Sequence, residues 1–546
     1  MKKFILIIFI AALSAVSSYA QVAPVLIKMD TVLTNTAGTK TFYLKNLTSK
    51  VMHINNVRSV TSKFYFTVSS FSINPNDSVQ VTVYFKTNQN ITYKDFLIFE
   101  TTGGHFPLVN YSLATAKYPE SYYSFSQGLF DEALKTAIRT YTTTGYISLG
   151  YNTARDKMFE TVDDYNNDDT IECVYIGRKI KAATRTEAQN QNFNTEHTLP
   201  QSNFNEAEPM RSDLFHLYPT DNTPNNYRSN YNFGHVVANI TYENNGSKLG
   251  KDSTGATVFE PRDVHKGNVA RSLFYFVTKY GNSNNYLTLK EENTLRWWNY
   301  LDTVNARERT RNVRIKSFQN VFNPFIDHPE LAERITSFYT TGNAAPKGKI
   351  SAAPWNVVYD TTRSGDTSSY YVAIMNYGNA TLTVLSVTSN STAFVVESSP
   401  ASIAAGELAY AKVKFKPTSP FTLYSGTLTI ANSDLVKTVT LTGVSGQTLG
   451  IEQLGSTVPS SYSLNQNYPN PFNPETNIEF CLPKSSFVNL SVFDISGKLV
   501  STLVESSLSA GKYNYRFTSE GLSSGVYFYK LIAGDFMDVK RLMIVK

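Results

Sequence analysis

Apolar and polar side chains alternate in short runs between residues 25 and 116, and Asn- and Ser-rich turns separate the runs. Alternation with a period of two puts every second side chain on the same face of a strand, so these runs predict strands with one buried face. The clearest predicted strands are Thr41–Leu44, Val51–Ile54, Phe64–Val68, Val79–Phe85 and Asp95–Phe99. A series of such strands in a segment of this length predicts a β-sandwich.

The same arrangement returns between residues 355 and 444. Tyr370–Ile374 corresponds to Thr41–Leu44, and Tyr424–Ile430 corresponds to Tyr93–Phe99. This internal repeat predicts a second sandwich built like the first. Both copies resemble the immunoglobulin-like modules of the abnormal-spindle/Hydin type, and the resemblance implies immunoglobulin-like sandwiches that act as spacers or as binding modules.

The central region has a different pattern, because its apolar side chains recur at spacings of three and four. This spacing predicts helices with one buried face. The predicted helical stretches are Leu129–Ile138, Val269–Val277 and Asn293–Asp302. Long polar stretches, such as residues 163–169, predict loops between these elements, so the region is predicted to be α+β.

The first residues have the features of an export signal. Lys2 and Lys3 precede an apolar run from Phe4 to Val16, and small residues follow at the positions that a signal peptidase reads. This pattern predicts a secretory signal peptide that is cleaved before Gln21. The apolar run is too short for a comfortable membrane span, and no later stretch is long enough. We therefore expect a soluble mature protein without a transmembrane segment.

The C-terminal region begins with Asn-Tyr-Pro-Asn-Pro-Phe-Asn-Pro-Glu-Thr at residues 467–476. An Asp-x-x-Gly-Lys turn follows at residues 494–498, and a Gly-Val-Tyr-x-Tyr strand follows at residues 525–529. These motifs resemble the C-terminal sorting domain of the type IX secretion system. The resemblance implies that the type IX machinery carries the protein through the outer membrane. The protein is then expected to be released or attached at the cell surface.

Composition and cysteine content exclude few classes of function. The net charge of +6 is a mild basic excess, so a phosphate-binding surface must be a local patch. Cys173 and Cys481 are the two cysteines, and they form neither a disulfide framework nor a zinc-ligand spacing. Because Ile171, Val174 and Tyr175 flank Cys173, we predict a buried free thiol there.

The candidate chemistry is concentrated between residues 194 and 234, where Glu196 and His197 are adjacent and Asn225 and Arg228 follow. Carboxylate and amide oxygens can hold a hard divalent cation, and an imidazole can take a proton from water. Taken alone, a histidine on a strand is more often structural than catalytic, and adjacent side chains on a strand point to opposite faces. The spacing from Glu196 to Asn225 nevertheless fits a strand, a turn, a second strand and the start of a helix. Such a ββα finger would gather Glu196, His197 and Asn225 around one small volume.

Residues 118–339 resemble the endonuclease I family of the ββα-metal (His-Me finger) superfamily. Besides the finger, the family motifs are found at Val258–Pro261, Lys266–Arg271 and Asn323–Glu330. The resemblance implies a secreted, metal-dependent endonuclease that cleaves DNA, RNA or both. It also implies 5′-phosphate and 3′-hydroxyl products, with weak sequence preference because the contacts are made to phosphate.

The resemblance also assigns roles residue by residue. His197 is the expected general base, and Glu196 and Asn225 are the expected ligands of Mg²⁺ or of another divalent cation such as Mn²⁺ or Ca²⁺. His216 lies where family members often have two adjacent histidines, and it either orients the catalytic site or packs the finger. Arg228 either holds phosphate or braces the finger, so both residues are counted among the catalytic candidates.

Several alternatives stay open at this point. The finger loop, residues 202–211, lacks the paired cysteines of some family members, and Arg211 is its only basic candidate for a transition-state arginine. The run Arg307–Lys316 is either a phosphate track or a solvated helix face. A different class of function is a surface adhesion or binding protein with an inactive nuclease-like domain. A zinc hydrolase built from His197, His216 and His235 fits poorly because no His-x-x-x-His pair is present.

The sequence therefore predicts a multidomain, monomeric protein. A central α+β domain of the ββα-metal finger type lies between all-β immunoglobulin-like sandwiches, and a C-terminal β-sandwich sorting domain follows. The predicted parts are a signal peptide at 1–20, a sandwich at 21–116, the endonuclease I-like domain at 117–343, a linker at 344–354, a second sandwich at 355–445, a linker at 446–463 and the sorting domain at 464–546.

Overall fold

A computed structural model shows how these parts fold. The structure describes residues 26–47, 50–102, 107–282, 285–419, 422–446, 451–454 and 458–546. The predicted signal peptide lies outside the described residues. Within those ranges, no helix has both the length and the apolar character that a membrane crossing requires.

The N-terminal unit consists of two β-sheets that face each other across one apolar core. Its strands are β1 (Leu26–Lys28), β2 (Val32–Leu33), β3 (Gly38–Lys45), β4 (Met52–Ser59), β5 (Phe64–Phe66), β6 (Phe71–Ile73), β7 (Ser78–Phe85), β8 (Thr92–Thr102) and β9 (Leu108–Lys117). One sheet has the order β1-β9-β8-β4-β6, with β2 also on β9, and the other has the order β3-β7-β5. Alternate residues of β7 and β9 are buried, as the period-two pattern predicts.

The central unit combines short sheets with helices around the largest core of the chain. Its helices are α1 (Asp131–Thr143), α2 (Tyr151–Lys157), α3 (Arg185–Asn190), α4 (Asn222–Arg228), α5 (Asp263–Tyr280), α6 (Leu289–Leu301), α7 (Ala306–Gln319) and α8 (Pro324–Asp327). Its strands are β10 (Thr170–Glu172), β11 (Lys179–Lys181), β12 (Phe193–His197), β13 (Leu217–Asp221), β14 (Ala238–Asn244), β15 (Ser247–Lys251) and β16 (Thr257–Glu260). The three predicted helical stretches correspond to α1, α5 and α6. Helix α5 is buried along most of its length, and α1, α6 and α8 pack against it.

The second β unit repeats the strand order of the first. Its strands are β17 (Ile350–Ala353), β18 (Asn356–Val358), β19 (Ser368–Asn376), β20 (Leu382–Ser389), β21 (Phe394–Ser398), β22 (Ser402–Ile403), β23 (Leu408–Phe415), β24 (Leu423–Asn432) and β25 (Lys437–Val444). The sheet β18-β25-β24-β20-β22 matches β1-β9-β8-β4-β6, including its parallel first pair. The other sheet, β17-β19-β23-β21, extends the β3-β7-β5 pattern by β17. The predicted internal repeat is therefore confirmed at the level of topology.

A buried asparagine supports the same equivalence between the two β units. The Asn46 amide donates to the carbonyl oxygens of Lys50, at 2.7 Å, and Ile73, at 2.9 Å. The Asn376 amide donates in the same way to Ala380, at 2.8 Å, and to Ile403, at 2.9 Å. In both units the amide thus connects the end of a strand, β3 or β19, to two neighbouring backbone segments.

The two β units contact each other directly. Phe96 and Ile98 of β8 pack against Ala353 of β17 and Met375 of β19 in a small apolar cluster. Strand β17 lies inside the segment 344–354, which the sequence predicts to be a linker. It forms a strand there because it pairs with β19, and it is buried by this pairing and by the contact with β8. The N-terminal unit also contacts the central unit, where the Arg334 guanidinium donates to the Asn90 side chain at 2.5 Å.

The C-terminal unit is a third pair of facing sheets with its own core. Its strands are β26 (Ile451–Gln453), β27 (Ser463–Leu464), β28 (Glu475–Leu482), β29 (Ser486–Phe493), β30 (Leu499–Leu508), β31 (Gly511–Thr518), β32 (Gly525–Ala533) and β33 (Phe536–Ile544). The sheets have the orders β26-β31-β28-β27 and β30-β29-β32-β33. Strand β26 lies in the predicted linker 446–463, because it pairs with β31.

Candidate active site

The predicted finger is present as two strands and a helix. Strands β12 and β13 pair antiparallel, with Glu196 opposite Tyr218 and His197 opposite Leu217. Helix α4 follows β13 directly, and the Asp221 carboxylate caps it by accepting from a backbone N–H of its first turn. The structure confirms the predicted order of strand, strand and helix, and α4 contacts both strands.

A buried carboxylate anchors the finger to helix α5. Asp213, just before β13, accepts hydrogen bonds from Lys279 at 2.9 Å, Tyr280 at 2.7 Å and Tyr275 at 3.1 Å. Its other oxygen accepts from the backbone N–H of Phe215 at 3.1 Å. Phe215 replaces the first of the two family histidines and is itself buried against Tyr275. The start of β13 is thus fixed to the most buried helix of the unit.

Glu196 is buried in a polar pocket on one face of β12. Its Oε1 accepts a hydrogen bond from the Tyr175 hydroxyl at 2.7 Å and lies 2.9 Å from Nε of Arg228. Burial raises the pKa of Glu196, and the positive charge of Arg228 opposes that shift. The charged form of a buried carboxyl is stabilised by a positive charge close to it. Both contacts fall on Oε1, so they leave Oε2 for another partner.

Arg228 is enclosed by the protein. The residue is 1% exposed, and its Nη atoms donate to the carbonyl oxygens of Thr198, at 2.6 Å, and Ser229, at 2.9 Å. The guanidinium also lies over the Phe233 ring, with 4.6 Å from Cζ to the ring centroid. Of the two roles predicted from sequence, this geometry favours bracing the finger and holding Glu196 over a direct phosphate contact.

The second predicted metal ligand, Asn225, lies on α4 one turn before Arg228 and is half-buried. Residues three apart share a face of a helix, and the Arg228 face is directed at Glu196. A carboxylate oxygen and an amide oxygen form an all-oxygen set with few protein ligands, which suits Mg²⁺ because that ion keeps several waters. In the described part of the chain, no cluster of three or more His, Cys, Asp or Glu could hold a metal. Carboxylate and amide oxygens are hard donors, and hard oxygen donors suit Mg²⁺ better than zinc.

His197 lies on the opposite face of β12 from Glu196, as alternation along a strand requires. Its Nε2 is 3.3 Å from the backbone carbonyl oxygen of Arg211. A carbonyl oxygen only accepts, so Nε2 carries the proton and Nδ1 carries the lone pair. Burial, followed by the neighbouring His216, lowers the pKa of His197 well below its ordinary value. The imidazole is therefore neutral at pH 7, which is the state that a general base needs.

His216 is fully buried behind His197, with 5.4 Å between the two ring centroids. Its Nε2 is 2.6 Å from the carbonyl oxygen of Met210, and its ring packs against Phe204 and Phe276. Burial lowers the pKa of His216 to about 4. Of the two roles predicted from sequence, this position favours packing and orientation of the finger over contact with substrate.

Three side chains near the site carried no individual signal in the sequence. Tyr175 contacts Glu196, whereas Tyr151 and Arg155 lie on the side of His197. Tyr151 and Arg155 are one helical turn apart on α2, which is a spacing that sequence can detect. Tyr175 follows β10 in a loop, and nothing in its local sequence connects it to Glu196.

Three arginines of the basic run on α7 make contacts within the fold. Arg307 pairs with Glu172 at 2.8 Å, and the buried Arg311 pairs with Asp163 at 3.0 Å. Arg314 donates to backbone carbonyl oxygens of residues 161–164. These guanidinium groups connect α7 to the loops beside it, so they stabilise the fold.

His235, the third histidine of the predicted zinc alternative, contacts Glu260 and Trp297. His197 and His216 contact each other instead. His235 thus has partners of its own outside the finger. This arrangement and the oxygen donor set of the finger both disfavour a zinc site made from these three imidazoles.

Comparison with known proteins places the site in a family. The endonuclease I family profile matches residues 124–330, and the profile of the secretion system C-terminal sorting domain matches residues 466–546. An extracellular ribonuclease of Bacillus amyloliquefaciens is 30% identical over 262 residues, which cover 44% of this chain and 87% of that protein. An extracellular ribonuclease of Bacillus subtilis (strain 168) is 28% identical over 236 residues, covering 40% and 78% respectively. A solved ASH/PapD-like domain of human CEP192 matches 20% of this chain and 94% of its own length, at 16% identity and a TM-score of 0.16, which is too low to support a conclusion about fold.

These findings confirm the two resemblances on which the nuclease and export predictions depend. The type IX secretion sorting domain makes this an exported protein, secreted or held at the cell surface. The matched region contains β12, β13 and α4, together with every predicted site residue. The chain therefore belongs to the endonuclease I family and is a secreted nuclease.

Proposed function

We propose that this protein is a metal-dependent, sequence-nonspecific endonuclease that hydrolyses phosphodiester bonds of DNA, RNA or both. The observation that carries the proposal is the His197 imidazole, which is neutral, fixed through Nε2 and left with a lone pair on Nδ1. It stands on the same finger as Glu196 and Asn225, the proposed ligands of Mg²⁺. His216 is also neutral and held through Nε2, but it is fully enclosed, whereas His197 is 7% exposed.

The two faces of β12 carry different roles: His197 on one face transfers the proton, and Glu196 on the other binds the metal. His197 takes the proton of the attacking water at Nδ1, while the Arg211 carbonyl holds the ring in place. Arg228 and Tyr175 hold the Glu196 carboxylate in place and favour its ionised form against burial, which raises its pKa. When bound, the cation supplies positive charge that offsets the charge building on the phosphate oxygens. The products are 5′-phosphate and 3′-hydroxyl ends.

RNA belongs among the proposed substrates, because both Bacillus relatives are extracellular ribonucleases by name. Contacts through phosphate and metal read no base edges, which supports cleavage without sequence preference. For the flanking units we propose immunoglobulin-like spacers, with the catalytic domain at 117–343 between them. The two flanking units share one strand order, which supports a common structural role. We propose that the enzyme acts as a monomer.

The test is cleavage of plasmid DNA and of RNA by the full chain, in Mg²⁺ and in EDTA. His197→Ala should lower the rate by a factor of about a hundred to ten thousand, the contribution of a general base. His235→Ala is the matched control, because this half-exposed imidazole contacts Glu260 away from the finger. Cleavage in EDTA would contradict the metal dependence. Equal rates for wild type and His197→Ala, or no cleavage by either, would leave the alternative of a surface binding protein with an inactive nuclease-like domain.

A further inference from the structure

An aromatic ring of α2 lies beside His197, and two guanidinium groups lie over that ring. The Tyr151 ring centroid is 5.5 Å from that of His197. Cζ of Arg211 lies 4.1 Å from the Tyr151 centroid, and Cζ of Arg155 lies 5.0 Å from it. Cation–π attraction to this ring holds the two guanidinium groups beside the proposed general base.

Arg155 is attached to the finger through one atom. Its Nε donates to the Thr195 hydroxyl at 3.1 Å, and Thr195 shares the His197 face of β12 because the two residues are two positions apart. This bond fixes the guanidinium and leaves its two Nη groups for another acceptor. Two parallel N–H groups match two oxygens of a phosphate.

Arg155 differs from the arginines around it because it has no carboxylate partner in the described part of the chain. Arg211 pairs with Glu206 at 2.7 Å, and Arg185 pairs with Asp156 at 3.0 Å. In the part of the chain that the structure describes, Arg155 takes part in no ion pair. Burial lowers the pKa of Arg155, and Arg185 and Arg211 act in the same direction, whereas Tyr151 and Asp156 oppose the shift. A half-buried cation without an ion-pair partner is stabilised when an anion binds beside it.

We propose that Arg155 binds a backbone phosphate of the substrate strand beside His197, and that Tyr151 positions Arg155 and Arg211 for this contact. The inference rests on the proposed function, because the anion it requires is the phosphate of a nucleic acid. The contact carries no base specificity. It places a binding residue on α2, outside the finger, so the substrate spans two elements of the central unit.

A purely structural role for Arg155 makes different predictions. In that case the bond to Thr195 would be the main contribution, and Thr195→Val would reproduce the effect of Arg155→Ala. If Arg155 binds phosphate, its charge is what matters. Thr195→Val should then leave the salt dependence of binding close to that of wild type. Arg155→Lys should keep most of the salt dependence that Arg155→Ala loses.

The experiment measures binding of a short labelled single-stranded RNA to the full chain in EDTA, across a series of salt concentrations. Each phosphate contact to a single strand contributes about 0.7 to the slope of log affinity against log salt. Arg155→Ala should reduce the slope by about that amount and weaken binding by about tenfold to a hundredfold. Tyr151→Ala should resemble Arg155→Ala, whereas Tyr151→Phe retains the ring and should bind like wild type.

Arg139→Ala is the matched control for loss of one positive charge. Arg139 is exposed on α1, and its Nε also donates to one protein oxygen, the carbonyl of Thr278, at 3.0 Å. We expect no change in slope for this variant. A wild-type slope in Arg155→Ala, or absence of RNA binding by the wild type, would overturn the inference. Because binding is measured in EDTA, a chain that binds RNA through Arg155 but never cleaves would refute only the proposed function.

Discussion

Replacement of Arg228 by methionine is the sharpest test of how the finger is held together. Methionine keeps much of the length and apolar character of the side chain but removes the guanidinium. The change leaves Glu196 without the cation 2.9 Å away, and the carbonyl oxygens of Thr198 and Ser229 lose their donors. Glu196 is 3% exposed, so water cannot easily replace the lost partner.

The expected loss follows from the burial of both partners. Removing one partner of a buried ion pair typically costs about 3–5 kcal/mol in the free energy of unfolding, because a charge is left uncompensated. The Glu196 pKa is already raised by burial, and it should rise further without Arg228. Part of the cost is then avoided by protonation of the carboxyl, so we expect about 3 kcal/mol near neutral pH. Protonation would also remove a metal ligand, and cleavage should become weaker and require more Mg²⁺.

Tryptophan fluorescence in urea measures this loss. The chain has three tryptophans, and Trp297 and Trp298 both lie on α6 of the central unit. Trp298 is fully buried and reports on that core, whereas Trp355 is largely exposed in the second β unit. Arg139→Met removes an exposed arginine from α1 and should change the free energy of unfolding by less than about 1 kcal/mol.

The double variant Arg228→Met, Glu196→Gln separates the ion pair from other effects. Since glutamine is neutral, the double variant should be less destabilised than the sum of the two single variants, with a coupling energy of at least about 1 kcal/mol. Additive losses would mean that the two charges do not support each other. An Arg228→Met variant within about 1 kcal/mol of wild type would refute the assignment of Arg228 as the brace of the finger.

Two further predictions concern other parts of the molecule. The folded pKa of His216 is about 4, below its ordinary 6.5, so the unfolded chain binds more protons between these values. The free energy of unfolding should therefore fall as the pH drops from about 6.5 to about 4, and His216→Phe should reduce that dependence in urea titrations at several pH values. Met375→Asp places a charge in the cluster with Phe96 and Ile98, and it should separate the two β units. Small-angle scattering should then show a larger radius of gyration, and an unchanged radius would contradict the role of this cluster.

Sequence patterns were sufficient for features that depend on local spacing. The strands of the β units have one buried face each, and the Glu196–Asn225 separation matched a strand, a strand and a helix. The buried free thiol of Cys173 followed from its apolar neighbours. Such features are set by residues close together in the chain, so they can be recognised without the fold.

Features that depend on tertiary burial could not be predicted in the same way. Arg228 and Arg311 look like surface arginines in the sequence, yet both are enclosed and paired with carboxylates. The partner of Arg311, Asp163, lies in a polar stretch that predicts a loop. Strand β17 is short and became a strand because Ala353 is covered by another unit. In each case the partner comes from a distant part of the sequence.

The contact between the two β units has a consequence for the nuclease that lies between them. It holds both ends of the central segment, so an unfolded nuclease would be a closed loop instead of a chain with free ends. Closing a loop of this length removes conformational entropy worth on the order of 5 kcal/mol from the unfolded state. As long as Phe96 and Met375 stay together, the flanking units thus protect the enzyme against unfolding from a distance. Deletion of either unit should lower the free energy of unfolding of the nuclease even though its catalytic residues are intact.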